Sequence, residues 1–144
     1  MPILHEPDSK ELRTLFDAVR TIAIIGLSPD ASKPSHQVAA YLQKEGFRII
    51  PIYPKEERIL GEKVYRSLEE VEIPIDMVDM FRKPQVADLI VEQLKERKEV
   101  KCLWLQLGIC NDSAAQKASA LGLTVVQDRC TKIEHQRIFH PWSH

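Results

Sequence analysis

The feature that most limits the fold of this chain is a regular alternation of short apolar segments with segments of helical periodicity. The apolar segment at residues 21–26 does not alternate with polar residues, which is typical of a strand covered on both faces. Pro34 then suits a first helical turn, and apolar residues follow at helical spacing up to Gly46. The alternation continues, with strands predicted at residues 21–26, 47–53, 75–80, 100–105 and 123–127, and helices at 34–46, 84–94 and 112–121. This pattern predicts an α/β fold with a mostly parallel sheet and helices on both faces.

Shorter elements complete the predicted secondary structure. Ser9 is predicted to cap a first helix whose apolar residues run to Val19. Residues 61–65 are predicted to form a short edge strand, and Ser67 to cap a brief helix ending at residue 71. No element is predicted after residue 127. The histidines near the carboxyl end are interpreted as part of a solvated chain end, and no metal site is predicted there. These histidines are His135, His140 and His144.

Composition and charge narrow the class of protein. A chain of 144 residues with 44% apolar and 28% charged residues suits one domain spanning residues 1–144. The formal net charge of -1 gives no reason to expect binding to nucleic acid or to an anionic membrane. The apolar runs are shorter than the roughly 20 residues of a membrane-spanning helix, and the first residues do not resemble a secretory signal. The cysteines Cys102, Cys110 and Cys130 lack paired spacing, which favours reduced thiols and a cytoplasmic location.

The predicted topology places a binding crevice near the first strand. In a doubly wound, Rossmann-like sheet of order 3-2-1-4-5-6, the strand at Thr21 is central and ligands bind beyond the carboxyl ends of the strands. The turn after this strand contains Gly26, Ser28, Lys33 and Ser35, and it leads into a helix N-terminus. Hydroxyls, free N–H groups and a cation are the components of a phosphate site. The alternative is a surface turn whose serines only cap the helix.

The residues after the second strand bear on which nucleotide would bind. NAD-binding folds usually carry an acidic residue there to hold the ribose hydroxyls. This chain has Tyr53, Pro54 and Lys55 at that point, followed by Arg58. A cation in this position favours a nucleotide with an additional ribose phosphate, and both NADP and coenzyme A meet that requirement.

Other strand ends add polar groups, but they do not form a recognisable catalytic constellation. Phe81 and Arg82 follow one strand, and Gln106 and Gly108 follow another. Trp104 lies within an apolar run and is predicted to belong to the core. Asp76 and Asp79 are three residues apart on a strand and are expected to point to opposite faces, which argues against a catalytic pair.

An ordered set of short motifs resembles a known family. The motifs are IIGLS (24–28), KPS (33–35), IYP (52–54), LG (60–61), VDMFR (78–82), LWLQLG (103–108) and DRC (128–130). In this order they resemble small coenzyme A-binding proteins related to the amino-terminal domain of the succinyl-CoA synthetase alpha subunit. The resemblance implies a Rossmann-like fold with coenzyme A lying across the strand ends. One departure is Tyr53, which stands where relatives often have asparagine.

The resemblance also implies a role for each matched segment. Gly26, Leu27, Ser28 and Ser35 would meet the pyrophosphate, with Lys33 close by. Tyr53, Pro54 and Lys55 would border the adenine and the ribose phosphate. Phe81 and Arg82, together with Gln106 and Gly108, would border the pantetheine arm.

The function expected from these observations is binding of coenzyme A or an acyl-CoA by a non-catalytic or regulatory module. The alternative is an enzyme, either an NADP-linked oxidoreductase or an acyl-CoA-handling protein. A protein partner or a homo-oligomer remains open, as does a mixed disulfide between the coenzyme A thiol and Cys110 or Cys130.

Overall fold

The computed structural model describes residues 3–4 and 8–142, without the side chain of Leu4. The strands are β1 (Ile3–Leu4), β2 (Thr21–Ile25), β3 (Arg48–Ile52), β4 (Arg58–Ile59), β5 (Glu62–Lys63), β6 (Met77–Met80), β7 (Cys102–Leu105) and β8 (Thr124–Val126). The helices are α1 (Ser9–Asp17), α2 (Pro34–Lys44), α3 (Val86–Leu94), α4 (Asp112–Ala120) and α5 (Thr131–Phe139), with one 3-10 turn at Leu68–Glu70. Within these residues no helix is long and apolar enough to cross a membrane.

Six of the strands form a parallel sheet in the order β1-β8-β7-β6-β2-β3, which confirms the predicted α/β, Rossmann-like class. β2 is central, and the chain reverses its direction of travel across the sheet between β3 on one side and β6 on the other. The predicted edge strand at residues 61–65 forms only in part. Glu62–Lys63 pairs with β4, away from the main sheet, whereas Tyr65 makes a single parallel bridge to Ile52 of β3. Strand 3 of the expected order 3-2-1-4-5-6 is therefore represented only by the bridge between Tyr65 and Ile52.

The sheet is covered on both faces, which explains why its strands are apolar without alternation. Leu12 of α1, Val38 and Leu42 of α2 and Ile138 of α5 belong to one buried cluster with Trp104. Helices α3 and α4 belong to the cluster on the opposite face. Trp104 is fully buried, as predicted, and its indole N–H donates to the carbonyl of Arg129 at 2.8 Å.

The first helix is capped one residue earlier than predicted. Asp8, not Ser9, is the N-cap, and its carboxylate accepts a hydrogen bond from the Glu11 N–H at 2.8 Å. The Glu11 side chain accepts from the Asp8 N–H at 3.2 Å, completing a capping box. An aspartate with a glutamate three residues later satisfies two N–H groups, so Ser9 becomes the first residue of the helix.

The interpretation of the carboxyl-terminal part as a solvated chain end is wrong for residues 131–139. These residues form α5, which packs on α1, and the Arg13 guanidinium donates to the carbonyl of Ile138 at 3.1 Å. His135 is 5% exposed and contacts the rings of Phe16 and Phe139. Helix α5 escaped prediction because its buried side has polar residues as well as apolar ones. His144 lies outside the described residues.

Candidate functional site

A cleft of about 910 Å³ opens at the carboxyl ends of β2, β6 and β7. The N-termini of α2 and α5 face it from two sides. This is the crevice beside the central strand in which open parallel sheets bind ligands. The lining residues are Gly26, Ser28, Lys33, Pro34, Ser35, Gln37, Val38, Tyr53, Phe81, Gln106, Leu107, Ile109, Cys130, Lys132, Ile133 and Gln136.

The turn between β2 and α2 is held by its own polar groups. The Ser28 N–H donates to the Ser35 hydroxyl oxygen at 3.0 Å, and the His36 ring lies 2.8 Å from the Ser28 carbonyl oxygen. Ser32 donates to the Asp30 carboxylate through both its N–H and its hydroxyl, and these bonds lower the pKa of Asp30. The Ser35 hydroxyl donates to no other described residue, so its proton is available to a ligand.

Gly26 lets the turn pass close to its neighbour in the sheet. Its φ of +85° is in the left-handed region, which glycine adopts without steric cost. A Cβ added there would lie 2.8 Å from Cδ of Arg82 and 3.2 Å from the Phe81 carbonyl oxygen. The Arg82 side chain can therefore take this position only because residue 26 has no Cβ atom.

On the side of the cleft opposite this turn lies a buried hydrogen-bond network of three residues. We call this network, which consists of Asp79, Gln106 and Thr131, the floor. The Gln106 side-chain oxygen accepts from the Thr131 N–H at 3.0 Å and lies 2.9 Å from the Thr131 hydroxyl. The same hydroxyl lies 2.9 Å from Oδ2 of Asp79. Since the Gln106 oxygen is held twice, its amide group is oriented with the nitrogen away from Thr131. That nitrogen makes no hydrogen bond to another described residue, so it is available as a donor in the cleft.

The floor is consistent with a protonated Asp79. Asp79 is fully buried, and desolvation raises its pKa to about 8, although the bond from Thr131 opposes this shift. The Thr131 hydroxyl has one proton and cannot donate to both neighbours. A protonated Asp79 resolves this, since its O–H donates to Thr131 and Thr131 donates to Gln106. Oδ1 of Asp79 has no hydrogen-bond partner among the described residues, and this costs less in a neutral carboxyl than in a carboxylate.

The charges around the cleft favour an anion. Lys33 and Lys132 line it, and no aspartate or glutamate is among the described lining residues. Both facing helices lack a side-chain cap, because neither Lys33 at α2 nor Cys130 at α5 makes one. In contrast, α1 and α4 are capped by Asp8 and Asn111. The Thr131 N–H at the start of α5 is bonded to Gln106, but the other N–H groups of the two N-termini and their positive dipole ends face the same space.

A smaller cleft of about 200 Å³ adjoins the first, and Tyr53 lines both. Its wall includes Pro54, Arg66 and Arg82. The Arg66 guanidinium donates to the carbonyls of Tyr53, Lys55 and Glu56, so it fixes the loop after β3. Arg66 was not among the predicted site residues, because it acts by bonding to a loop that begins thirteen positions earlier in the chain.

The structure brings most of the predicted site residues to these two clefts. Gly26, Ser28, Lys33, Ser35, Tyr53, Phe81 and Gln106 line the larger cleft, and Tyr53, Pro54 and Arg82 line the smaller one. Leu27, Lys55 and Gly108 line neither. The Leu27 side chain is buried in the core, and the Gly108 N–H is bonded to the Asp128 carboxylate at 2.6 Å. These positions describe geometry only, and the binding roles remain predictions.

The wall supplied by α5, which contributes Lys132, Ile133 and Gln136, was not predicted from the sequence. A helical signal existed in Thr131, His135 and Ile138, which lie at helical spacing and are all buried. Only Ile138 of these three is apolar, so the pattern did not indicate a buried face.

The three cysteines differ in their surroundings. Cys102 is buried, and desolvation followed by the Asp79 charge raises its pKa well above the ordinary value. Cys110 is exposed, and its pKa is also raised, first by desolvation and then by Asp128 and Asp112. Cys130 is half-buried and is the one cysteine among the described lining residues of the larger cleft.

Known proteins resemble this chain over nearly its whole length. The uncharacterized protein YneT of Bacillus subtilis (strain 168) is 33% identical over 132 residues, which cover 92% of this chain and 97% of that protein. A solved Thermus thermophilus protein, cell-free ID.343, is 32% identical with a TM-score of 0.87, covering 92% of this chain and all of that chain. A hypothetical protein from Pyrococcus horikoshii OT3 is 31% identical with a TM-score of 0.88, and 96% of each chain is covered.

A family model described as "CoA binding domain" matches residues 20–136. This range begins just before β2 and ends within α5, so it includes both helices that face the larger cleft. The chain therefore belongs to the CoA binding domain family.

Proposed function

We propose that this protein binds coenzyme A or an acyl-CoA across the carboxyl ends of its parallel strands, as a non-catalytic binding or regulatory module. One observation carries the proposal: the larger cleft combines two lysines and two uncapped helix N-termini with no carboxylate among its described lining residues. Coenzyme A is a polyanion with a long, mostly uncharged arm, and this combination suits it.

The pyrophosphate is assigned to the turn between β2 and α2. The Ser35 hydroxyl proton and the Lys33 ammonium group provide donors there. A helix N-terminus stabilises an anion by about 0.3–1 kcal/mol when exposed, and more when the site is desolvated.

The adenine and its ribose phosphate are assigned to the smaller cleft. Tyr53 connects the two clefts, and Arg66 and Arg82 are the cations of the smaller one. Arg82 thus serves the adenine side in this proposal, because it lines the smaller cleft and not the larger one. Lys55 follows on the exposed loop after β3.

The pantetheine arm is assigned to the wall between Phe81 and α5. Leu107, Ile109 and Ile133 make this wall apolar. The side-chain nitrogen of Gln106, which bonds to no other described residue, can donate to a carbonyl of the arm. The arm would lead toward Cys130. A thiol or an acyl group would then lie at the α5 end of the cleft.

The non-catalytic role is supported by the side chains of the cleft. No histidine or carboxylate, the side chains that most often act as general bases, is among its described lining residues. The carboxyl group nearest to it in the floor, Asp79, is buried and bonded to Thr131. The NADP-linked alternative also needs a site for a ribose phosphate. It differs from the first proposal in the ligand that should bind, so a binding measurement distinguishes the two.

The test is calorimetric titration of the purified protein with coenzyme A, acetyl-CoA, 3'-dephospho-CoA, NAD and NADP. We expect coenzyme A to bind, and loss of the 3'-phosphate to weaken binding. A preference for NADP over coenzyme A would replace the module with an oxidoreductase. Absence of binding to every compound would overturn both.

The assigned location is tested by Lys33→Ala and Arg82→Ala, with Lys98→Ala as the matched control. Lys98 lines a separate cleft at the amino ends of the strands. We expect the first two variants to bind coenzyme A more weakly and the third to bind as the parent does. Equal affinity in all three variants would mean that the ligand binds elsewhere.

A further inference from the structure

A second polar cluster lies at the opposite ends of α2 and α5. Glu45 is the C-cap residue of α2, His140 is the C-cap residue of α5, and His135 lies one turn earlier on α5. One ligand atom of each residue lies within 4.8 Å of the other two. The cluster borders a cavity of about 400 Å³ that is separate from the proposed coenzyme A site.

The distances within the cluster are close to those of a metal site. Nε2 of His140 lies 2.5 Å from Oε1 of Glu45, and Nδ1 of His135 lies 4.0 Å from the same oxygen. Zinc binds nitrogen and oxygen ligands at about 2.0–2.2 Å, which places tetrahedral ligand atoms roughly 3.3 Å apart. The two observed separations lie on either side of this value, so shifts below about 1 Å in each side chain would complete the site.

One neighbouring group already bonds to the nitrogen that a metal would use. The Tyr41 hydroxyl lies 2.6 Å from Nδ1 of His135. A metal ion would replace Tyr41 at this nitrogen, so the Tyr41 side chain would turn away as the ion binds.

The surroundings also favour a cation. The last carbonyls of a helix carry partial negative charge, and two helices end at this cluster. Asp17 and Arg20 also line the cavity, and their opposite charges compensate. Among the described residues that line the cavity, the net charge is therefore the negative charge of Glu45. Arg13, Lys44 and Arg137 lie at the ends of the two helices and offset part of their dipoles.

We propose that Glu45, His135 and His140 bind a divalent transition metal ion of the zinc class, with the fourth coordination position open to the cavity. Two imidazole nitrogens and one carboxylate oxygen form a donor set that zinc accepts readily. The ion would join the ends of the same two helices whose N-termini form the larger cleft. Its predicted role is to hold α5 against α2.

The test is titration of metal-stripped full-length protein with Zn²⁺ against a competing chromophoric chelator. We expect one ion per chain, and at least tenfold weaker binding in Glu45→Gln and in His140→Gln. Both side chains are partly exposed, so these variants are expected to fold. His36→Gln is the matched control, since His36 lies at the other end of α2 and should leave zinc affinity unchanged.

Two further measurements distinguish metal binding from a simple hydrogen-bonded cluster. Co²⁺ in place of zinc should give the strong visible absorption of tetrahedral coordination in the parent, and lose it in His140→Gln. Zinc should raise the melting temperature of the parent more than that of the variant, by linkage of binding to folding. Equal zinc affinity in the parent and both ligand variants would overturn the proposal, whatever the result with coenzyme A.

Discussion

The two sides of the larger cleft use polar groups in opposite ways. On the rim, which comprises Ser28, Lys33, Ser35 and Lys132, hydrogen atoms and charge remain available to a ligand. In the floor, Asp79 and Thr131 are fully buried, and their polar atoms are mostly occupied by one another. Ligand affinity should therefore depend on the rim, whereas the free energy of unfolding should depend on the floor.

The largest expected effect is the pH dependence caused by Asp79. Its pKa is about 8 in the folded protein and close to 3.8 in the unfolded chain, so the folded state binds more protons between these values. Stability should therefore fall as pH rises from about 4 to 8, by up to about 1.4 kcal/mol per pH unit, and the loss is complete above pH 8. Asp79→Asn removes this titration. Between pH 5 and pH 8 its free energy of unfolding should therefore rise relative to that of the parent by a few kcal/mol. Urea denaturation at both pH values measures it, and parallel curves for parent and variant would mean that Asp79 titrates normally.

A smaller loss of stability is expected for Thr131→Val. The substitution keeps the shape but removes the hydroxyl between Asp79 and Gln106, leaving a buried carboxyl group without its partner. The cost should be about 1–3 kcal/mol in the free energy of unfolding. Thr124→Val is the control, because Thr124 is 9% exposed and its hydroxyl bonds to no other described residue. If the two variants lost equal stability, the floor would contribute nothing specific.

Gly26→Ala should affect both properties, because Gly26 lines the cleft and supports its packing. The left-handed backbone and the contact with Arg82 should together cost roughly 1–2 kcal/mol of stability. Displacement of Arg82 should also weaken coenzyme A binding. Gly46→Ala is a useful comparison, since Gly46 has a φ of +100° but no atom within 4 Å of an added Cβ. It should lose stability without losing affinity, and a matching loss of affinity would contradict the role given to Gly26.

The smallest expected effect is that of Lys33→Ala. Loss of one exposed cation at a helix N-terminus corresponds to about 0.3–1 kcal/mol, or roughly a twofold to fivefold weaker affinity for coenzyme A. The free energy of unfolding should change by less than about 0.5 kcal/mol. The difference in affinity should shrink as salt is added, because salt screens exposed charges. A loss of stability with unchanged affinity would reverse the comparison between rim and floor.

The part of the rim between β2 and α2 was predictable from the sequence because its signals are local, whereas Lys132 on α5 was not predicted. A glycine at the end of an apolar strand, followed by serines, a lysine and a proline, marks a turn that leads into a helix. The α/β class was predictable for the same reason, since each strand and helix shows its own periodicity.

The floor was not predictable because it depends on contacts between distant residues. Asp79 and Thr131 are 52 positions apart, and each has an ordinary local context. Considered on its strand alone, Asp79 was judged only by its spacing from Asp76. The Asp76 carboxylate accepts hydrogen bonds from the N–H groups of Arg20 and Thr21 and pairs with Lys101. The metal cluster is unpredictable in the same way, because Glu45 and His140 are 95 positions apart.

The edges of the sheet have a consequence for how molecules of this protein meet one another. Pro51 lies in β3, the last strand on one side, and its carbonyl accepts from the Tyr65 N–H at 2.9 Å. Its missing N–H would also face that outer side, so a strand from another molecule finds few groups to bond there. The opposite edge strand, β1, is two residues long. With both edges blunted, growth of the sheet into aggregates by strand addition is disfavoured, and the protein can be concentrated without this route to precipitation.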